Sequence, residues 1–310
     1  MPHPRRIKIV TCNFEQNGFG SRALWLDMHQ RLAKIKPTIL CRQENPGHAE
    51  SGAGSTLFNE SKRIVGLAGR LGPGLGATAL YYDPEVFTEI TTWETHWPNW
   101  LLHPTAMTLR VNGTENIDMV TACGHLSYNS AALREIQADD VTRFADRVVT
   151  YEHRGQRTAR KLPVLGIGMD CNSYVDPARL VAGETPIPRL DQIADLQHRA
   201  HRSYETADGQ RVMDSRPDRT MLIAGLEDAA RHVALAQQDA TPVAPTVDAS
   251  ETHGPAHRVD RIYTGSLLLP ALVSVEVVDM KGLSDHHTVA AVYDLDLLVE
   301  VYHSHYELTA

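Results

Sequence analysis

Apolar and polar positions alternate with a period of two along much of this chain, the pattern of strands with one buried face. It predicts strands at Ile7–Phe14, Thr38–Arg42, Arg63–Leu67, Ala77–Tyr82, Ala106–Val111, Ile117–His125, Leu162–Met169, Arg258–Tyr263, Leu272–Val278 and Val289–Asp294. A helical period takes over at Ser21–Ile35, Ala131–Tyr151, Leu190–Arg202 and Arg219–Ala236. In the first of these Leu24, Met28, Leu32 and Ile35 share a face, Ser21 stands as N-cap and Pro37 stops the segment. Many strands with few helices imply two β-sheets packed face to face with helices outside, an α/β (α+β) arrangement. One domain over residues 1–310 is expected; the tail, 295–310, is open between an extra strand, a contact arm and disorder.

Two glycine- and proline-rich stretches punctuate the pattern. Gly66–Gly76 is followed by a strand rather than a helix and has no G-K-[ST], so it predicts a hairpin loop, not a phosphate cradle. Gln237–Pro255 predicts a loop. Trp93–Trp100 holds three of the four tryptophans: either a buried hydrophobic corner, or a rim on which a flat group stacks.

Composition narrows the setting. At 310 residues the chain can bury roughly 75% of its unfolded surface without staples. A net charge of −8 shows no general basic footprint for nucleic acid, although a local groove or a divalent metal can still hold phosphate. Neither a secretory apolar segment nor a membrane-length run is present, so a soluble, cytoplasmic protein is expected. Cys12, Cys41, Cys123 and Cys171 show no C-x-x-C or zinc spacing and read as buried free thiols. Oligomeric state leaves no mark in the sequence.

The polar residues at strand ends carry the chemistry. Asn13 closes the first strand, on the face opposite Cys12, and Glu44 follows the apolar run ending at Gln43. A carboxylate with a neutral oxygen donor is a set that Mg²⁺ accepts. Asp170 and Asn172, spaced by two at the end of a buried strand, aim the same way, able to orient a nucleophile and donate to a phosphoryl oxygen. The glycines before them, Gly166 and Gly168, would let the backbone turn close to a ligand. Asp260 is a lone acid on an apolar strand face and needs a partner; His286 would let it orient an imidazole that takes a proton from water. His125 ends another strand, and Asp285 stands next to His286, whose neighbour His287 points away.

These stretches carry a family resemblance. Val10-Thr11-Cys12-Asn13, Leu40-Cys41-Arg42-Gln43-Glu44, Gly124-His125-Leu126, Gly168-Met169-Asp170-Cys171-Asn172-Ser173, Arg258-Val259-Asp260-Arg261-Ile262 and Ser284-Asp285-His286 occur in the order of the endonuclease/exonuclease/phosphatase superfamily, which the chain resembles over nearly its whole length. The resemblance implies a DNase I-like four-layer α/β sandwich and Mg²⁺- or Mn²⁺-dependent hydrolysis of a phosphate ester. It implies Asn13, Glu44 and Asp285 on the metal side, with Asp170, Asn172 and His125 around nucleophile and phosphate and Asp260–His286 as the base pair. The substrate it implies is a nucleic acid or a small or lipid phosphoester; a non-catalytic binder on the same scaffold is the less favoured reading. Three departures stand out: the usual Gly-Asp-x-Asn has its glycine displaced by one, Cys12 replaces the common Trp, and the carboxylate behind His125 is unassigned, with Asp83 and Glu85 as candidates.

Overall fold

The computed structural model describes residues 5–48, 53–74, 76–95, 97–153 and 156–306. Strands β1 (Arg6–Asn13), β2 (Ile39–Gln43), β3 (Ala68–Leu71) and β4 (Ala79–Tyr82) come first, then β5 (Phe87–Trp93), β6 (Thr105–Val111) and β7 (Asp118–His125). A hairpin, β8 (Val148–His153) and β9 (Gln156–Lys161), precedes β10 (Val164–Asp170). After the small pair β11 (Ser203–Glu205) and β12 (Arg211–Met213) come β13 (Leu226–Asp228), β14 (Asp260–Gly265), β15 (Leu272–Val278) and β16 (Thr288–Asp294). One six-stranded sheet runs β15-β16-β1-β2-β4-β3 and the other β13-β14-β10-β7-β6-β5; both are mixed.

The two-residue period builds the layers. Ile7 and Ile9 of β1 point into the core between the sheets with Ile39, Cys41, Met107 and Leu165, while Val10, Cys12 and Phe14 face out. The outward set meets Trp25, Met28 and Leu32 of the helix Arg22–Ile35, which Ser21 caps through Leu24 N–H. On the other side, helices Ala131–Thr142 and Arg216–Ile223 bring Ala138, Val141 and Met221 onto Val120, Ala122, Ile167 and Met169. The result is the expected order of helix, sheet, sheet, helix.

Gly166 and Gly168 serve the sheet contact rather than a turn at a ligand. A Cβ on Gly168 would lie 2.8 Å from Cys41 Sγ and 2.9 Å from Thr11 Cβ, and one on Gly166 would lie 2.8 Å from Ile9 Cδ1. Their bare backbone lets β10 lie against β1 and β2, and this brings the ends of the two sheets together. Gln43 then bridges the layers, its amide donating to Thr11 Oγ1 at 3.0 Å and Gly168 O at 3.3 Å.

Several expected elements differ. Arg63–Leu67 is the end of the helix Ala53–Val65, stopped by Gly66 at φ 74°. The helix begun at Ala131 ends at Thr142, because the β-branched run after Arg147 pairs as β8. Arg219–Ala236 is two helices, parted at Gly225 (φ 79°) by β13, and Asp228 caps the second through the N–H groups of Ala230 and Arg231. Leu190–Arg202 holds only a 3₁₀ turn at Leu190–Gln192 and a short helix at Leu196–His201. The tail forms a helix, Leu295–Tyr306, none of the three forms considered for it; 307–310 lie outside the described residues. Leu75 and His96, within the glycine loop and the tryptophan segment, are likewise outside.

Candidate active site

Sheet register sets the floor of the site. On β10, Asp170 stands beside His125 of parallel β7 and opposite Asp260 of antiparallel β14, so three of the candidate side chains occupy one row at a sheet end. In the facing sheet, β1 and β2 end side by side at Asn13 and Gln43, with Glu44 next. The turn ahead of β16 brings Ser284–His286 over the same end, and Ser284 Oγ ties it down by donating to Asn13 O at 3.1 Å.

Asp170 is the hub. Its Oδ2 accepts from Asn13 Nδ2 and Asn172 Nδ2, both at 3.0 Å, and its Oδ1 accepts from Asn172 N–H at 2.8 Å. The Asn172 amide also donates to Leu126 O at 3.1 Å, so both its hydrogens hold structure; donating to a phosphoryl oxygen requires one of these bonds to open. Asn172 takes φ 45° and Glu44 φ 54°, a left-handed conformation uncommon for a glutamate.

Glu44 is the carboxylate behind His125. Its Oε1 lies 3.2 Å from His125 Nε2 and accepts from Asn13 Nδ2 at 3.2 Å, while Oε2 accepts from Gln16 N–H at 2.7 Å. Burial works to raise the Glu44 carboxyl, but His125 and these donors outweigh it and hold it at about 2. Burial works to lower His125, yet Glu44 and Asp170 raise it. Asp83 and Glu85, the candidates for this place, sit instead at the turn after β4, near Thr38 at the opposite end of β2.

The second half is a carboxylate–imidazole pair. His286 Nδ1 lies 2.8 Å from Asp260 Oδ2 and both groups are buried. The Asp260 backbone N–H donates to Thr246 Oγ1 at 3.0 Å. With Nδ1 occupied, Nε2 faces the cleft, 4.0 Å from Asp170 Oδ2 and 3.9 Å from Asp285 Oδ2. Burial opposes charge on His286, but Asp260, Asp170 and Asp285 raise its proton affinity well above the ordinary range, whereas burial raises Asp260. Such affinity reflects uncompensated negative charge and falls when positive charge is added beside it. His287 turns away, its Nδ1 taking the Met280 N–H at 3.2 Å.

The donor set fits a divalent metal. Asn13 Oδ1 is buried without a hydrogen-bond partner, its amide nitrogen holds the half-buried Glu44, and the exposed Asp285 follows Ser284, which is tied to Asn13 O. Hard oxygen donors of this kind suit Mg²⁺ or Mn²⁺. Asp170, Asp260 and His286 also bring ligand atoms within 4.8 Å of one another, as do His253, Asp285 and His286.

Two cavities flank His125. One of about 330 Å³ is walled by Trp100, Leu101, Leu102, Tyr128 and Leu133; the other, of about 210 Å³, by Gln16, Glu44, Leu102 and Tyr128. The tryptophan segment is a hydrophobic corner: Trp97 packs on Phe144, and Trp93 and Trp100 donate through Nε1 to Thr108 and Asp140, each at 3.0 Å. The exposed rim belongs to Leu101 and Tyr128, at 68% and 47% exposure. Neither residue carried a signal in the sequence, and nor did Thr246 or His253; Ser284 lay inside a recognised motif without a role.

All four cysteines are buried and free. No described helix is long and apolar enough to cross a membrane.

No family model matches the chain, and no curated protein matches it in sequence. Solved structures do match in shape. An AP endonuclease from Archaeoglobus fulgidus has 15% identity and a TM-score of 0.59 over 93% of this chain and 100% of its own. An endonuclease/exonuclease/phosphatase family protein from Bacteroides thetaiotaomicron has 13% identity and a TM-score of 0.57 over 94% and 97%. D. rerio TDP2, solved with a single-strand DNA product, has 12% identity and a TM-score of 0.57 over 93% and 98%. The chain therefore has the DNase I-like α/β sandwich fold of the endonuclease/exonuclease/phosphatase superfamily.

Proposed function

We propose that this chain is a phosphoesterase, dependent on Mg²⁺ or Mn²⁺, that hydrolyses a phosphodiester by direct attack of water. The observation that carries the reading is the Asp260–His286 pair, with Nδ1 fixed at 2.8 Å and Nε2 presented to a cleft lined by Asp170, Asn13 and Glu44. Asp260 orients the ring, His286 Nε2 takes a proton from water, and Asp170, fixed by Asn13 and Asn172, aligns that water against phosphorus. His125, whose proton affinity Glu44 and Asp170 raise, stands beside the phosphoryl oxygens. A divalent ion held by Asn13, Glu44 and Asp285 would neutralise charge on the phosphoryl oxygens and the leaving group.

Two substrate readings follow from different observations. The shape match to AP endonuclease and to a TDP2 holding single-strand DNA favours a nucleic acid. The cavities beside His125 favour a small or lipid phosphodiester, since among the described residues lining them there is no lysine or arginine, and net charge is −8. Nucleic-acid binding leans on basic side chains. The deciding experiment is a metal-by-substrate screen of plasmid DNA, single-stranded DNA, RNA, a chromogenic phosphodiester, a phospholipid diester and phosphomonoesters, with EDTA as control. Turnover that survives EDTA, or that is retained in His286→Ala, would overturn the proposal; absence of turnover on every substrate would favour a binding protein.

A further inference from the structure

The loop before β14 places a third imidazole at the cleft. Its tip, Ser250–Gly254, closes with two backbone hydrogen bonds, Ser250 N–H to Gly254 O at 2.9 Å and Gly254 N–H to Ser250 O at 2.8 Å. Gly254 takes φ 74°, and a Cβ there would lie 3.1 Å from Gln192 O, so the tip rests against the neighbouring segment. Val247 forms bridges to both His257 and His286, which stitches the loop to the base. His253 is thereby held edge-on to His286, with ring centroids 6.1 Å apart and planes at 82°. Among the described residues its ring nitrogens have no hydrogen-bond partner. Ligand atoms of His253, Asp285 and His286 all lie within 4.8 Å of one another.

We propose that His253, Asp285 and His286 form an inhibitory site for a zinc-class dication at the rim of the cleft. Two imidazoles and a carboxylate are a nitrogen-rich set of the kind Zn²⁺ takes; it shares Asp285 with the set of Asn13 and Glu44 but puts nitrogens in place of those two oxygens. Asp285 Oδ2 lies 3.9 Å from His286 Nε2, and a tetrahedral ion with bonds of about 2 Å spaces its ligands about 3.3 Å apart, so both the exposed Asp285 side chain and the His253 loop would close in on binding. Asp260 on His286 Nδ1 is the carboxylate partner that a metal-bound histidine commonly has, fixing Nε2 as the coordinating atom. Inhibition follows from the count of nitrogens on one ring. Nδ1 is held by Asp260, so the atom that would bind zinc is the atom that would accept the proton of water. The inhibitory consequence rests on the proposed phosphoesterase reading; the metal site itself does not.

The test uses the full chain, stripped of metal, in two arms. Zn²⁺ binding is followed by calorimetry and by the visible absorption of Co²⁺ as a stand-in, in the parent, His253→Ala and His253→Gln, with circular dichroism as the folding control. One site that weakens at least about tenfold in both variants is expected. Equal affinity in parent and variants overturns the site. In the second arm Zn²⁺ is titrated into Mg²⁺- or Mn²⁺-supported turnover. Both variants should keep their basal rate within about twofold and need at least about tenfold more zinc for half-inhibition. Zinc binding through His253 without inhibition, or with activation, overturns the inhibitory role while leaving the phosphoesterase reading intact. His253-dependent binding in a protein that turns over no substrate supports the site and counts against that reading instead.

Discussion

Two clusters of charge lie on either side of β14, and they are built on opposite rules. Behind the strand, acids face guanidinium groups. Arg258 lies 2.6 Å from Asp228 and 2.7 Å from Glu184, and Arg231 lies 2.8 Å from Asp218, which also accepts from Tyr263 at 2.7 Å. The atoms left without partners there are N–H groups of Arg231 and Arg261; none of the three carboxylates is among them. On the cleft side, Glu44, Asp170, Asp260 and Asp285 face one another across two imidazoles, and Asn13 Oδ1, Asp260 Oδ1 and His125 Nδ1 are buried without partners. Removing one partner from a self-balanced cluster strands a buried charge, whereas a cluster left short of positive charge is a candidate site for an arriving cation.

The contrast predicts opposite phenotypes. The largest effect is expected at the proposed base: His286→Ala should lower turnover by a factor of about 10²–10⁴. Its cost in stability should be only about 1–3 kcal/mol, because the Asp260 carboxyl, already raised by burial, takes up a proton when the imidazole is gone. Turnover and urea denaturation on the same preparation check both halves, and a variant that is merely unstable would break the comparison from the cleft side. Behind β14 the order should reverse. Arg258→Met strands Asp228 and Glu184 and should cost about 3–5 kcal/mol, with turnover per folded molecule nearly unchanged. Loss of turnover in molecules that remain folded would show that the paired cluster also takes part in the chemistry.

The row beneath both clusters gives a smaller effect. Gly168→Ala pushes a methyl toward Cys41 and Thr11 across the sheet contact and should cost about 1–3 kcal/mol in denaturant unfolding. An unchanged midpoint would mean that the close approach of β10 to β1 and β2 is not needed. This contact also marks where sequence reading stopped. The alternation in β1 fixed which face of the strand carries Asn13, and the strand-end positions of Glu44, His125, Asp170 and Asp260 were legible because each follows or interrupts an apolar run. That Gly168 separates sheets rather than turning toward a ligand was not, since a missing side chain looks the same in both roles. The partner of His125 was likewise hidden, because Glu44 reaches it only when β2 and β7 meet across the sandwich. Local period failed where tertiary pairing overrode it: the run after Arg147 reads as helix until β9 is there to pair with it, and Gly225 parts a helical pattern so that β13 can join β14. His253 had no pattern at all, lying in a loop that only the Val247 bridges hold against His286.

Acid should separate the clusters with the smallest and most diagnostic signal. Burial works against the charge on Asp218, but Arg261 and Arg231 outweigh it and hold the carboxyl at about 2, below the ordinary value of about 3.9 in an unfolded chain. Between those values the unfolded state binds more protons, so this group's contribution, full above about pH 4, is lost as pH falls toward 2. At pH 3 the loss is about 1 kcal/mol. Asp260 is shifted the other way: burial raises its carboxyl, so the folded state binds more protons, and its contribution is present at low pH and lost as pH rises through the folded value. Denaturation midpoints of the parent, Asp218→Asn and Asp260→Asn at pH 5 and pH 3 read the two signs directly. On acidification the parent should lose stability relative to Asp218→Asn and gain it relative to Asp260→Asn. Slopes of the same sign would mean that the cleft carboxylates are as well balanced as those behind the strand, and the case for a site awaiting a cation would lose its electrostatic footing.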